Sequence, residues 1–225
     1  MSIAIKDPRE LQSIYERRFD PHRAAYRRRL WQTLVRGYFS RYIGKDDCVV
    51  DLACGYGEFI NTVDCREKIG MDLNPRSREM LDKDVAFHFH DCMKPWPVPP
   101  GSVDVVFTSN FFEHLPDKGA LKAVLFEAHR CLKPGGRLMV LGPNIKFVQG
   151  AYWDFWDHFL CLTELSLGEA LENNGYRVTH CVDRFLPYTT INGPEYPMAL
   201  VSAYLHLPMV WRIFGKQFFV VAQKR

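Results

Sequence analysis

An α/β fold with a mostly parallel sheet is the architecture that this sequence predicts, on three observations. Short apolar, β-branched runs alternate with helical stretches from residue 48 to residue 143, and strands separated by helices form parallel sheets covered on both faces. The first of these runs, CVVDLAC (48–54), leads into Gly55-Tyr56-Gly57, a turn that lets backbone approach a ligand closely. Later runs end at Asp72, Asp91 and Asn110, which puts polar residues at the strand ends where open α/β sheets bind ligands.

The elements follow in order. Residues 9–42 read as helical with a break at Asp20-Pro21, where Asp20 suits a cap and Pro21 a first helical residue. KIGMDL (68–73), VAFHFH (85–90), VDVVFTS (103–109) and RLMVLGP (137–143) are the second to fifth strands. Helices are expected over EFINTV (58–63), residues 75–81 and KGALKAVLFEAHRCL (118–132). Pro134-Gly135-Gly136 reads as a turn. Residues 145–162 are aromatic and irregular. A helix follows over 162–176, with Thr163 as N-cap and Gly175 as stop. RVTHCVDRF (177–185) and QFFVVAQ (217–223) are the last two strands. The expected organisation is a helical cap (1–45) on one α/β domain (46–225) that carries an insert at 186–215.

Bulk properties narrow the function classes. A chain of 225 residues is ample for one core. At 47% hydrophobic and 24% charged residues, it reads as globular rather than disordered. No secretory pattern opens the chain, and no apolar run reaches 18 residues; a cytoplasmic enzyme is expected. Seven scattered cysteines without a CxxC pair indicate neither a zinc site nor a disulfide framework. Residues 1–45 carry 11 Lys/Arg against 4 Asp/Glu, whereas the remainder is net acidic. That basic segment is either a solvated helix or a cap meeting an anionic substrate or membrane surface. The acidic remainder makes nucleic acid the weaker partner.

A carboxylate at Asp72, 15 residues after Gly57, suits both hydroxyls of an adenosine ribose. Asp91 and the backbone N–H of Cys92 suit an adenine edge. The set of segments resembles the class I S-adenosylmethionine (SAM)-dependent methyltransferases over roughly residues 45–185 and the last strand. VVDLACGYGEF corresponds to their glycine motif, with Ala53 where many members have another glycine. GMDLNP corresponds to the ribose motif and HDCMKPWP to the adenine-side loop. DVVFTSNFFEHLPD and LKPGGRLMVLGPN correspond to the fourth- and fifth-strand motifs.

The resemblance implies a Rossmann-like seven-stranded sheet of order 3-2-1-4-5-7-6, the last strand antiparallel. It implies SAM as cofactor and S-adenosylhomocysteine as product. Asp51, Gly55 and Gly57 would line the methionine side, Asp72 the ribose, Asp91 and Cys92 the adenine, and Asn110 the methionine moiety or methyl end; Ala53 and Leu73 are further cofactor-binding candidates. A nicotinamide dehydrogenase would prefer GxGxxG, and here Gly57 is followed by Glu58-Phe59-Ile60.

A sulfonium cofactor carries an activated methyl group, which leaves positioning and deprotonation to the protein. His114, after Glu113, is the first candidate general base, and His158 in WDFWDHFLCLTE (153–164) the second. Trp153, Asp154 and Asp157 belong to the same expected substrate wall, where an aspartate could orient a histidine. Tyr15, Arg18 and Phe19 in YERRF are candidate lid residues over the SAM pocket. No metal is expected. Some O-methyltransferases of quinone biosynthesis carry a carboxylate three residues before the Glu-His pair, and here that place is Asn110.

The insert offers Leu200, Ala203, Tyr204, Leu207 and Trp211 on one helical side. It is either a packing or homodimer surface or an interfacial patch with Arg212 and Lys216. Its ending resembles bacterial methyltransferases of glycan or secondary-metabolite assembly. The expected reaction is O-methylation of a sugar or lipid-linked sugar. The alternatives are an aromatic or polyketide-like acceptor and a SAM-binding regulator without catalysis.

Overall fold

The computed structural model describes residues 8–18, 20–188 and 193–225. Seven strands form one sheet: β1 (Cys48–Leu52), β2 (Glu67–Asp72), β3 (Val85–Phe89), β4 (Val103–Ser109), β5 (Leu132–Pro143), β6 (Tyr176–Val182) and β7 (Gln217–Lys224). Their order is β3-β2-β1-β4-β5-β7-β6. β7 runs antiparallel to both neighbours, and the pairs from β3 through β5 are parallel. The order and the antiparallel last strand are as the resemblance implies.

Strand geometry sends alternate side chains to opposite faces, and two apolar cores result. Val50, Leu52, Val106, Leu138 and Val140 join one core; Val49, Val105, Phe107, Met139 and Leu141 join the other. The first core is covered by α4 (Lys118–Cys131) and α6 (Glu164–Asn173) through Leu121, Val124, Leu125, Leu167 and Leu171. Both helices begin on side-chain caps. Asp117 accepts from Ala120 N–H, and Thr163 and Ser166 form a reciprocal capping box.

The second core is covered by the cap and the insert. α1 (Pro8–Arg18) precedes a break at Asp20, whose carboxylate accepts from His22 N–H ahead of Pro21. α2 (Ala24–Gly37) then packs along α7 (Met198–Leu205), with α8 (Pro208–Phe214) beyond it. Gly37 is needed at this contact, because a Cβ there would stand 3.0 Å from Leu205 Cδ1. Phe39 is the hub: fully buried, its ring meets Phe107 at 5.5 Å, Phe219 at 5.2 Å and Phe185 at 6.0 Å.

Four local expectations are corrected. EFINTV forms a helical turn rather than a helix, with Asn61 N–H bonded to Gly57 C=O and Val63 N–H to Phe59 C=O. Residues 75–81 shorten to a single turn, α3 (Ser77–Met80). The Pro134-Gly135-Gly136 turn is a bulge inside β5, whose pairing jumps from Val103↔Leu132 to Val105↔Arg137. The insert is two helices broken at Leu207-Pro208, because proline starts a helix more readily than it continues one. A further short helix, α5 (Ile145–Val148), and a 3-10 segment, Gln149–Asp154, fill the irregular stretch.

Phe39→Ala should destabilise the fold by about 3–5 kcal/mol, the usual cost of a buried aromatic truncation. Urea denaturation measures it. A loss below about 1 kcal/mol would show that this core does not depend on the ring.

Candidate active site

The strand order reverses between β1 and β4, and a cavity of about 970 Å³ opens at their carboxyl ends. That volume is at the top of the ~300–1,000 Å³ range of small-molecule sites. Its floor comes from the strand ends: Asp51, Ala53, Gly55, Asp72, Leu73, Asp91, Cys92 and Asn110 all line it. α2 and α7 form one wall with Tyr26, Trp31 and Tyr204, and residues 155–159 another.

Backbone conformation marks the floor. Ala53 (φ 57°) and Asn110 (φ 50°) are two of the three non-glycine residues with positive φ among those described. Such strain persists where surrounding structure over-determines it, and it clusters at functional sites. Here Asn110 N–H is held by Leu141 C=O (2.9 Å), and Cys54 N–H by Met71 C=O (3.1 Å). Gly57 (φ 75°) does not line the cavity. It is required for the turn itself, because a Cβ would lie 2.3 Å from Leu81 Cδ2.

Asp72 locks the loop. Its Oδ2 accepts from Gly55 N–H (2.8 Å) and its Oδ1 from Asn74 N–H (2.7 Å). Burial raises its pKa, and the Asn74, Gly55 and Leu73 amides oppose the rise. Asp51 is raised well above the carboxylate range by burial first, then by Asp72 and Glu58. Two buried carboxylates on the floor favour hydroxyl or cationic groups of a ligand. Asp91 Oδ1 accepts from Met93 N–H (3.0 Å), which fixes the turn after β3.

Two candidate bases come together at the cavity wall. His114 and His158 lie with ring centroids 5.0 Å apart. His114 Nδ1 is 2.9 Å from the Asp157 carbonyl oxygen and 3.1 Å from its Oδ2. A carbonyl only accepts, so Nδ1 carries the hydrogen and the neutral ring keeps its lone pair on Nε2. Arg18 of α1 holds the Asp157 carboxylate from the other side through both terminal nitrogens, one at 2.9 Å. Asp157 thus orients His114 and not its sequence neighbour His158, and Arg18 is engaged with Asp157.

These contacts separate the protonation of the groups. Burial works against the Asp157 carboxylate, yet hydrogen bonds from His114 and Arg18 hold its pKa well below the usual range. Burial also works against a charged His114, but Asp157 and Glu113 outweigh it and raise the pKa. His158 is pushed down to about 4 by burial and then by His114. Burial pushes Glu113 up to about 7. Among the described residues, Glu113, His114 and His158 are the one group whose donor atoms could converge on a metal ion, all within 4.8 Å of one another.

The remaining expectations divide. Trp153 and Asp154 are exposed and do not line the cavity, because the 3-10 segment turns them outward. Their neighbour Phe155 does line it, stacked on His158 at 4.9 Å with Arg18 above it. Phe19 and the side chain of Tyr15 lie outside the described residues. Sequence reading passed over the Arg27–Glu58 ion pair (3.2 Å), which ties α2 to the glycine loop across the cavity. The basic run of the cap was its only signal.

Residues 23–181 match the family described as a methyltransferase domain. A search of curated proteins by sequence finds no match. Solved structures share the fold. One is a SAM-dependent methyltransferase from Archaeoglobus fulgidus, with 22% identity over 90% of this chain and 98% of that one, TM-score 0.67. A SAM-dependent methyltransferase from Thermotoga maritima has 19% identity over 98% of each chain, TM-score 0.65. A geranyl diphosphate C-methyltransferase from Streptomyces coelicolor, in complex with Mg²⁺, geranyl diphosphate and S-adenosylhomocysteine, has 17% identity over 85% of this chain and 77% of that one, TM-score 0.60.

The signs of the pKa shifts set a pH window. A raised His114 stabilises the fold below its ordinary ~6.5, and the gain is lost as pH rises through the folded value. A depressed Asp157 stabilises above its ordinary ~4, and the gain is lost as pH falls through the folded value. The two contributions overlap between about pH 4 and 6.5. Asp157→Asn should therefore lower the His114 pKa, followed as imidazole chemical shifts in an NMR titration. An unchanged His114 curve would remove Asp157 as its partner.

Proposed function

The chain belongs to the methyltransferase-domain family, and from that premise we propose a SAM-dependent O-methyltransferase acting on a hydroxyl of a sugar or lipid-linked sugar. The observation that carries the reading is the Asp157–His114 pair on the cavity wall, a base oriented by a carboxylate beside the expected methyl position.

The cavity floor fits SAM. The Asp72 oxygens accept backbone N–H groups, and a carboxylate has about four acceptor positions, which leaves capacity for a ribose hydroxyl. Asp51 supplies a second buried carboxylate on the methionine side, and Asp91 with Cys92 the adenine side. The bound sulfonium supplies an activated methyl group. The protein then aligns the acceptor and takes its proton. Alignment alone is worth several kcal/mol, up to ~7–11 in well-oriented reactions.

His114 is the better base of the two. Nδ1–H is spent on Asp157, which leaves Nε2 to accept a proton, and the same partner stabilises the imidazolium once formed. With its pKa near 4, His158 holds a proton too weakly for the task at neutral pH. Arg18 fixes the carboxylate that fixes the base, so helix α1 closes over the site as a positioning element. The acceptor end of the cavity joins this polar wall to an aromatic and apolar one on α2 and α7, including Tyr26, Trp31, Val201 and Tyr204. Such a wall suits an acceptor whose hydroxyl-bearing head meets His114 and whose remainder is apolar.

A second reading is metal-assisted transfer, favoured by the Glu113, His114 and His158 trio. We expect metal-independent turnover, because Asn110 stands where a further carboxylate would complete the Glu-His pair. A chelator should leave the rate unchanged; loss of activity restored by Mg²⁺ or Zn²⁺ would establish the metal reading.

His114→Ala should cut turnover by about 10²–10⁴-fold, the usual range for general-base loss, with His158→Ala much milder. Both should keep S-adenosylhomocysteine affinity. Release of S-adenosylhomocysteine with nucleotide sugars, lipid-linked sugars and phenols reads the reaction, and calorimetry reads the affinity. Full activity in His114→Ala removes it as the base. Turnover on phenols alone selects the aromatic acceptor, and binding without any turnover selects the regulator.

A further inference from the structure

The insert exposes apolar surface that the fold does not use. In α8 only Trp211 is buried, and it anchors the helix through its indole N–H to Tyr204 C=O at 2.7 Å. The other side of the pair is open: Met209 is 84% exposed, Ile213 67%, Leu200 60%, Phe214 58% and Leu207 51%. Met209 and Ile213 are one helical turn apart, on one face.

This surface continues into the cavity. Leu200, Leu207 and Phe214 are exposed and also line the cavity. An apolar path therefore runs from the open face of α7 and α8 to the aromatic wall of α2.

Charge around the path is predominantly positive. Residues 21–45, which include α2, hold seven Arg/Lys and no Asp/Glu; residues 196–216 hold Arg212 and Lys216 and again no acid. The two segments are bound together, with Tyr196 N–H donating to Tyr26 Oη (2.9 Å) and Gly37 against Leu205. Arg28, Arg29, Arg36, Arg212 and Lys216 are exposed. The acid of the insert, Glu195, is paired with Arg23 at 3.4 Å.

We propose that the α7–α8 face docks the protein on an anionic lipid bilayer and sets the cavity mouth at the membrane surface. Apolar side chains beside an excess of exposed cations are the signature of an interfacial helix, and anionic leaflets attract such cations. No helix among the described residues is long and apolar enough to cross a membrane, so the pair lies on the surface. A second copy of the chain fits this face poorly: a two-fold contact sets the same patch against itself, and these cations would meet their own images. Docking does not depend on which hydroxyl receives the methyl group.

The test is co-sedimentation of the full chain with vesicles. The protein should pellet with phosphatidylglycerol/phosphatidylethanolamine vesicles, lose binding in high salt, and stay in solution with pure phosphatidylcholine. Met209→Glu with Ile213→Glu, residues that do not line the cavity, should weaken the partition at least about tenfold. Arg28→Glu with Arg29→Glu should do so through charge. Both variants should retain S-adenosylhomocysteine binding, which reports an intact fold. Failure of the native chain to pellet with anionic vesicles overturns the proposal. So does unchanged binding by the Met209/Ile213 variant. A homodimer in light scattering that the same variant dissociates also overturns it and assigns the face to a second copy.

Discussion

A buried carboxylate, Asp72, holds the architecture of the site at the end of β2. Its two oxygens accept the amides of Gly55 and Asn74, which fastens the glycine loop after β1 to the turn after β2. A buried carboxylate is costly unless hydrogen-bonded, and here the backbone of two loops supplies the bonds. That tether keeps the left-handed residues Ala53, Gly55 and Gly57 in place, and with them the opening between β1 and β4. Across the opening, Thr108 Oγ1 donates to Leu52 C=O at 3.0 Å and Asn110 is pinned to Leu141. The floor of the cavity is thus set by neighbouring strand ends, and only its walls come from afar.

The walls depend on the second core. Phe39, Tyr38 and Phe185 bring the end of the cap, the strand region after β6 and β7 into one aromatic cluster. That cluster seats α2 beside α7, and α2 in turn carries Arg27 to Glu58 at the glycine loop. The cap also reaches the chemistry. Arg18 and Asp157 are 139 residues apart in the chain, yet their pairing determines where the His114 imidazole points. A helix that packs on the outside of the domain and a loop after β5 together orient one imidazole.

Legibility in the sequence followed the range of the forces involved. β1 to β5 were readable because each contains a short apolar run whose ends carry turn chemistry, and Thr163 announces its helix by local capping alone. EFINTV reads as a helix by composition, but the chain must leave the glycine loop and reach β2 within a few residues, so only a turn forms. The insert reads as one amphipathic helix. Proline at 208 divides it, and the two halves expose what a single helix would have buried. Trp153, Asp154 and Asp157 read alike as substrate-wall candidates. The 3-10 segment Gln149–Asp154 ends before Asp157 and leaves Trp153 and Asp154 outside the cavity, which no spacing rule fixes.

By itself the sequence determined the sheet, the polar residues at its strand ends and the glycine turn between them, because these rest on period-two burial and on backbone conformations open to few residue types. It also identified His114 and His158 as the histidines of interest. Only the tertiary structure sets them apart. Burial lowers the pKa of His158, whereas a carboxylate from a distant loop, steadied by Arg18, raises that of His114. The apolar path from α8 to α2 was decided at the same level, since it exists only where the cap and the insert lie side by side. Contacts of that kind are set by packing across the whole domain.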